Sequence, residues 1–304
     1  MIKNWKDFIE FSYNTLGKKN KYIDTIFTFD IETTSVYELN GEIYPAFLYK
    51  ELSQKEKDSC SFYGFMYIWQ LGINDQVYYG RTWQELKDFL YLLDNFTNRY
   101  KKYFFVHNLS FEFQFLKGEF NFKKVTARNT RHVMTAQFID YNIEMHCTYM
   151  MSNVSLSKLA EVYHLPVEKK SGDLDYNKIR TSETEMTETE LGYCEFDCLV
   201  VYYYILFELE TYKELAKIPI TYTGHVRKEF RTLINNDYNY KAVVRKSINT
   251  DPHLYNLLVQ AFMGGYTHAN AYWSNRIIKD VDSFDFTSSY PYVMVSEKYP
   301  RWWI

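Results

Sequence analysis

The sequence predicts an α/β protein: one sheet domain over residues 1–215, with helices inserted between strands, and a second region of different grain over 216–304. Three observations predict it. Phe27 to Thr34 alternates apolar and polar side chains as a half-buried strand does. Tyr103-Phe104-Phe105-Val106 is continuously apolar, as a strand buried on both faces is, and runs into a helical stretch. Thr187 with Glu190 has capping-box spacing at the head of a long helix expected over 188–210.

The other elements follow in order. Trp5 to Tyr13 reads as a short helix, and a basic turn comes next, Lys18-Lys19-Asn20-Lys21. Phe62 to Tyr79 reads as two strands joined at Gly72 to Gln76. Thr82 to Leu93 reads as a helix capped by Thr82. His107-Asn108-Leu109-Ser110 leads into a helix through Leu116, and 122–149 alternates as two or three strands. Val154 to His164 is helical, and a polar loop with Gly172 precedes the long helix. Beyond 216 the expected order is helical pieces, a Gly-Gly turn and a strand.

Composition bounds the class. Of 304 residues, 46% are apolar and 24% charged, which fits a folded soluble chain rather than a disordered one. A net charge of -3 neither announces nor excludes a nucleic-acid partner. For any single ring among the 30 Tyr and 23 Phe, packing is the ordinary role and base stacking the special one. The four cysteines form no C-x-x-C pair and read as reduced thiols of a cytosolic protein, not zinc ligands. No signal peptide is legible, and the apolar run Val200 to Phe207 is too short to span a bilayer.

The chemistry begins with Asp30 and Glu32. Two residues apart on a strand, they project side by side, here expected from a sheet edge. Paired carboxylates repel unless a cation lies between them, and a hard divalent ion such as Mg2+ or Mn2+ suits oxygen ligands. Alone, such a pair reads equally as solvent-facing. Tyr193 and Asp197 are four apart on the long helix, hence on one face, beside an apolar stripe of Leu191, Cys194, Cys198, Val201 and Ile205. Glu112 follows the exit of a buried strand, where open α/β sheets place ligands. Its ordinary reading is a surface helix residue, and that of Asn108 is a turn.

In order, D-x-E, N-x-x-x-acid and Y-x-x-x-D resemble the three motifs of the DEDDy 3'-5' exonuclease superfamily. More narrowly they resemble the proofreading domain of the protein-primed family B DNA polymerases of bacteriophages. Asp285-Phe286-Thr287-Ser288-Ser289-Tyr290-Pro291 is similar to the first palm motif of that family. Phe262-Met263-Gly264-Gly265-Tyr266 is similar to its Y-x-G-G link, and Lys170 to Tyr176 to its K-G-D-x-D-Y segment. There are departures. The middle acid is Glu112 where Asp is usual, the lysine aligns with Ser171 so that Lys170 stands beside its place, Phe262 replaces Tyr, and Ser289 replaces Leu.

The resemblance implies an RNase H-like exonuclease fold, a mixed sheet flanked by helices, followed by an incomplete palm. It implies two Mg2+ or Mn2+ ions held by Asp30, Glu32, Glu112 and Asp197. Tyr193 would orient the attacking water, since a phenol of ordinary pKa ~10 is a poor base, and Lys170 would assist. Thr33, His107, Asn108, Phe111, Thr148 and Tyr149 would hold the single-stranded DNA 3' end. For Phe111 a core role is equally open, with Phe115 one turn on. Phe262, Gly264 and Gly265 would contact primer-template DNA; the glycines read otherwise as an ordinary turn. Asp285 would bind nucleotide metals, with Ser288 and Tyr290 at the nucleotide. Terminal protein is an implied partner, and the cytoplasm of an infected bacterial host the implied location. The chain stops soon after the palm motif, so polymerisation is not expected without a C-terminal half. Half of a split polymerase and an inactive DNA- or terminal-protein-binding module are the other readings.

Overall fold

The computed structural model describes residues 1–167, 174–175, 177–247, 251–261 and 271–298. It divides into two units, Met1–Lys228 and Glu229–Ile304.

The first unit opens with short strands β1 (Lys3–Asn4), β2 (Thr15–Leu16) and β3 (Tyr22–Ile23), then the long β4 (Phe27–Leu39) and β5 (Glu42–Pro45). Helix α1 (Gln54–Ser59) leads to β6 (Ser61–Ile73), β7 (Gln76–Gly80), α2 (Trp83–Phe96), β8 (Lys102–Val106) and α3 (Leu109–Glu119). Then come β9 (Phe122–Ala127), β10 (Val133–Phe138), β11 (Ile143–Cys147), α4 (Thr148–Ser152), α5 (Leu156–Val162) and α6 (Glu188–Tyr212). Among the described residues nine strands form one sheet in the order β1-β7-β6-β4-β8-β11-β10-β9, with β5 also paired to β4. The pairs β1–β7, β4–β8 and β8–β11 are parallel and the others antiparallel, so the sheet is mixed.

Helices cover both faces. Phe27, Phe29 and Ile31 share a core with Trp69, Leu71, Phe104 and Val106 of the neighbouring strands and with Leu86, Phe89, Leu109 and Leu116 of α2 and α3. Each such side chain contributes about 1.5–3 kcal/mol by leaving water. On the opposite face, Tyr103 and Phe105 pack with Val200, Val201, Tyr204 and Ile205 of α6. Cys194 and Cys198 of α6 pack with Tyr67 and Ile68. Thr82 and Thr187 both complete capping boxes, with Glu85 and Glu190.

Three expectations are corrected. β4 is an interior strand, not an edge: β6 pairs along one side, and Phe27 and Thr28 pair with Phe104 and Phe105 of β8 on the other. Alternation tells which face a side chain takes, not which strand lies alongside. The helix expected over Trp5 to Tyr13 is one 3-10 turn, Trp5–Asp7. The three-residue spacing of Trp5, Phe8 and Phe11 imitates a helical face, but it serves to lay rings against the sheet and α2. Trp5 and Phe8 meet Phe89 at 5.9 and 5.5 Å, and Phe11 meets Phe27 at 5.8 Å between centroids.

The division into units falls within α7 (Tyr222–Asn236), beyond residue 215. The second unit continues with α8 (Tyr238–Ser247), α9 (Pro252–Ala261) and α10 (Ser289–Ser296). The strand expected near its end is the third correction: among the described residues there is none, and Asp285 and Phe286 lie in irregular chain leading to α10. No helix among the described residues is long and apolar enough to cross a membrane.

Candidate active site

The register of β4 creates an opening. Its pairing to β8 stops at Thr28, and β8 ends at Val106, so from Asp30 onward that flank of β4 faces the segment leaving β8. Thr28, Asp30 and Glu32 point away from the Phe27–Ile31 core, toward α6. Tyr193 and Asp197 stand one turn apart there, both buried rather than solvated. Oxygens of Asp30, Glu32 and Asp197 all lie within 4.8 Å of one another. Glu32 and Asp197 are buried and Asp30 is half-buried.

Glu112 forms the opposite wall. Asn108 takes a left-handed conformation, φ 61°, which Asn tolerates well, and turns the chain from β8 into α3. This buries Glu112 in the first helical turn. Burial, then the charge of Asp30 and that of Glu32, pushes its carboxyl well above the usual carboxylate range. Its Oε2 is buried with no hydrogen-bond partner among the described residues. Beneath the carboxylates, burial and then the charges of Glu32 and Asp30 push the Cys194 thiol far up; burial and Asp30 do the same to Cys198. Both thiols are therefore inert packing. The cleft, about 460 Å3, is lined by Asp30, Glu32, Glu112, Tyr193, Asp197 and Phe111, with Leu156 contributed by α5. Crowded carboxylates, an orphaned buried oxygen and an all-oxygen donor set suit hard divalent cations.

Other expected residues gather at the rim. The register of β4 on β6 shifts between Glu32 and Thr33, which face Ile68 and Met66 and leave Tyr67 as the extra residue of a bulge. Bulges re-aim side chains beside functional sites. Arg81 Nε donates to the Tyr67 carbonyl at 2.8 Å, so the carbonyl of the bulged residue has a partner. His107 Nδ1 lies 3.1 Å from Thr148 Oγ1, and its ring meets Tyr149 edge-on at 5.8 Å. Thr148 is fully buried and braces His107. Phe111 is 38% exposed and leans on Phe115 at 5.4 Å, so it is not a core residue. Asn108 is exposed. Lys170, Ser171, Tyr176, Phe262, Gly264 and Gly265 lie outside the described residues. Asp285, Ser288 and Tyr290 belong to the second unit, where Ser288 precedes α10 with φ 54°. Asp285 joins no metal-competent cluster among the described residues.

Sequence reasoning missed Arg180. It is 3% exposed, and its Nε and Nη2 reach Glu190 Oε1 at 3.2 and 2.5 Å. Its Nη1 donates to the Asp175 carbonyl at 2.6 Å, and its backbone exchanges hydrogen bonds with Thr34 Oγ1. One residue thus ties together β4 just past the carboxylates, through its backbone, and the loop before α6 and the cap of α6, through its side chain. The only signal was Glu190, noticed as a capping residue.

Residues 170–301 match the family described as DNA polymerase type B, organellar and viral. The match covers less than half of the chain. The matched stretch includes Tyr193, Asp197, Asp285, Ser288 and Tyr290, whereas Asp30, Glu32 and Glu112 precede it. In fold, 83% of the chain matches 41% of phi29 DNA polymerase complexed with primer-template DNA and incoming nucleotides, with TM-score 0.56 and 14% identity. Phi29 DNA polymerase complexed with single-stranded DNA matches with the same TM-score and identity, over 82% of this chain and 41% of that one. At this identity the likeness is one of fold. The chain spans about two fifths of the phi29 polymerase chains it matches, 41%. No curated protein matches it.

Proposed function

We propose that this protein is a metal-dependent 3'-5' exonuclease acting on single-stranded DNA ends, within a protein-primed type B DNA polymerase. The observation that carries the reading is the convergence of Asp30, Glu32 and Asp197 oxygens within 4.8 Å, with buried Glu112 opposite. Asp30, Glu32 and Asp197 would hold divalent ions, and Glu112 would complete the set. Such ions lower the pKa of a water and stabilise the leaving 3' oxygen.

The chain's own residues do the rest. Tyr193, on the helical face shared with Asp197, orients the attacking water with its hydroxyl. Phe111 offers an exposed ring at the rim for a terminal base to stack on. His107, braced by Thr148 and Tyr149, and Thr33 at the bulge reach the strand by hydrogen bonds, and Lys170 is proposed to assist. On the same footing we propose residues 1–215 as the exonuclease domain and 216–304 as the start of a palm. There Asp285, Ser288 and Tyr290 would serve the nucleotide, and Phe262, Gly264 and Gly265 the primer-template. Terminal protein as a partner and the cytoplasm of an infected bacterium as the location are proposed likewise.

The test is digestion of a 5'-labelled single-stranded oligonucleotide with Mg2+ or Mn2+. A ladder shortening from the 3' end is expected. A folded protein that leaves the oligonucleotide intact would favour a non-catalytic DNA-binding module and overturn the reading.

A further inference from the structure

The basic turn noted in the sequence finds an unexpected setting. Lys18, Lys19 and Lys21 converge with Arg99, Lys101 and Lys123 around a cleft of about 600 Å3. Six cations from three separate parts of the chain thus face one hollow, in a protein of net charge -3. Two are answered by carboxylates: Lys101 by Glu144 at 2.5 Å and Arg99 by Asp94 at 3.7 Å. Among the described residues Lys18, Lys19, Lys21 and Lys123 pair with no carboxylate. Lys21 lies over the Tyr100 ring, 5.8 Å from its centroid, at the same cleft.

The position is telling. Lys101 precedes β8 and Val106 ends it, leading into His107. The cleft therefore lies at the opposite end of β8 from the carboxylates, roughly 15 Å along the strand. It is a separate place, not the rim of the active site. Lysines on the edge strand β9 also guard against unwanted strand pairing, but that explains Lys123 and not the turn at 18–21 or Arg99.

We propose that this cleft is a second binding site, for the sugar-phosphate backbone of single-stranded DNA. The choice of DNA rests on the function proposed above; the polyanion chemistry does not. The remaining lining is amides, Gln137 and Asn142 among them, and one ring, Tyr100. It lacks, among the described residues, the apolar anchors of a protein interface. Cations with a ring beside them are what a phosphodiester chain and its bases require.

The experiment is fluorescence anisotropy of a labelled oligothymidylate of about 20 nucleotides, longer than the ~4–16 of a typical single-strand site. It is run in EDTA, so that it reads binding whether or not the protein cuts. The variant Lys18→Glu/Lys19→Glu/Lys21→Glu/Lys123→Glu is expected to lose about tenfold or more in affinity at low salt. Its plot of log K against log salt should be shallower by about 3, from ~0.7 per phosphate contact over four contacts. The same four positions as Gln, which disturb folding less, should lose an intermediate amount. Reversing four exposed lysines elsewhere, Lys50, Lys55, Lys117 and Lys158, should leave affinity unchanged. Unaltered affinity in both cleft variants, equal losses in cleft and control variants, or full displacement of the oligonucleotide by equimolar thymidine monophosphate would each overturn the proposal. If the exonuclease reading alone fails, digestion is absent while the cleft variants still lose binding.

Discussion

Asp30→Ala with Glu32→Ala is expected to lower digestion of single-stranded DNA by at least about 1000-fold, the several kcal/mol of charge stabilisation that a metal site supplies. A merely structural role would give a different pattern. Asp30, Glu32 and Asp197 crowd their oxygens within 4.8 Å, and burial and the Asp30 charge push the Glu112 carboxyl well above its usual range. Like charges so close destabilise the metal-free fold. In EDTA the double variant should therefore melt no lower than the wild type, while its activity is gone. A large fall in melting temperature alongside lost activity would mean that the carboxylates hold the fold, and the site assignment would fail.

Arg180→Met should cost about 3 kcal/mol in stability, since removing one partner of a buried ion pair strands the other. The figure is at the low end of the usual range because the Glu190 side chain keeps 10% of its exposure. For a unit of this size that is a drop of roughly 6–12 °C in melting temperature. Against burial, which pushes it up, hydrogen bonds from Thr187 and Arg180 hold the Glu190 carboxyl below its usual range. Without Arg180 that carboxylate is buried and poorly compensated. Adding Glu190→Gln should recover about half of the loss, because the amide keeps the capping geometry with Thr187 and carries no charge. A melting temperature for Arg180→Met within about 2 °C of wild type, measured by calorimetry, would contradict the role given to this pair.

Much of this was legible in the sequence, for definite reasons. Alternation fixed the faces of β4, so Phe27, Phe29 and Ile31 are core and Asp30 and Glu32 share the other side. Helical spacing put Tyr193 and Asp197 together, and both threonine caps formed with their glutamates three residues on. The misses share a cause: local pattern does not record what packs alongside. It did not show that β4 is interior, that Trp5, Phe8 and Phe11 would be spent on ring contacts without a helix, or that Thr148 is buried beneath His107. Arg180 was invisible because its partners, Thr34, Asp175 and Glu190, come from distant or irregular stretches. The bulge at Tyr67 was equally hidden, since a register shift belongs to two strands and to neither sequence alone.

The most direct measurement is Mn2+ binding, followed by electron paramagnetic resonance as the ion is titrated into the protein without DNA. Binding of about two ions by the wild type, lost in Asp30→Ala/Glu32→Ala, is the predicted result. No binding by the folded wild type, or equal binding by the variant, would contradict a divalent-metal site built on Asp30, Glu32 and Asp197.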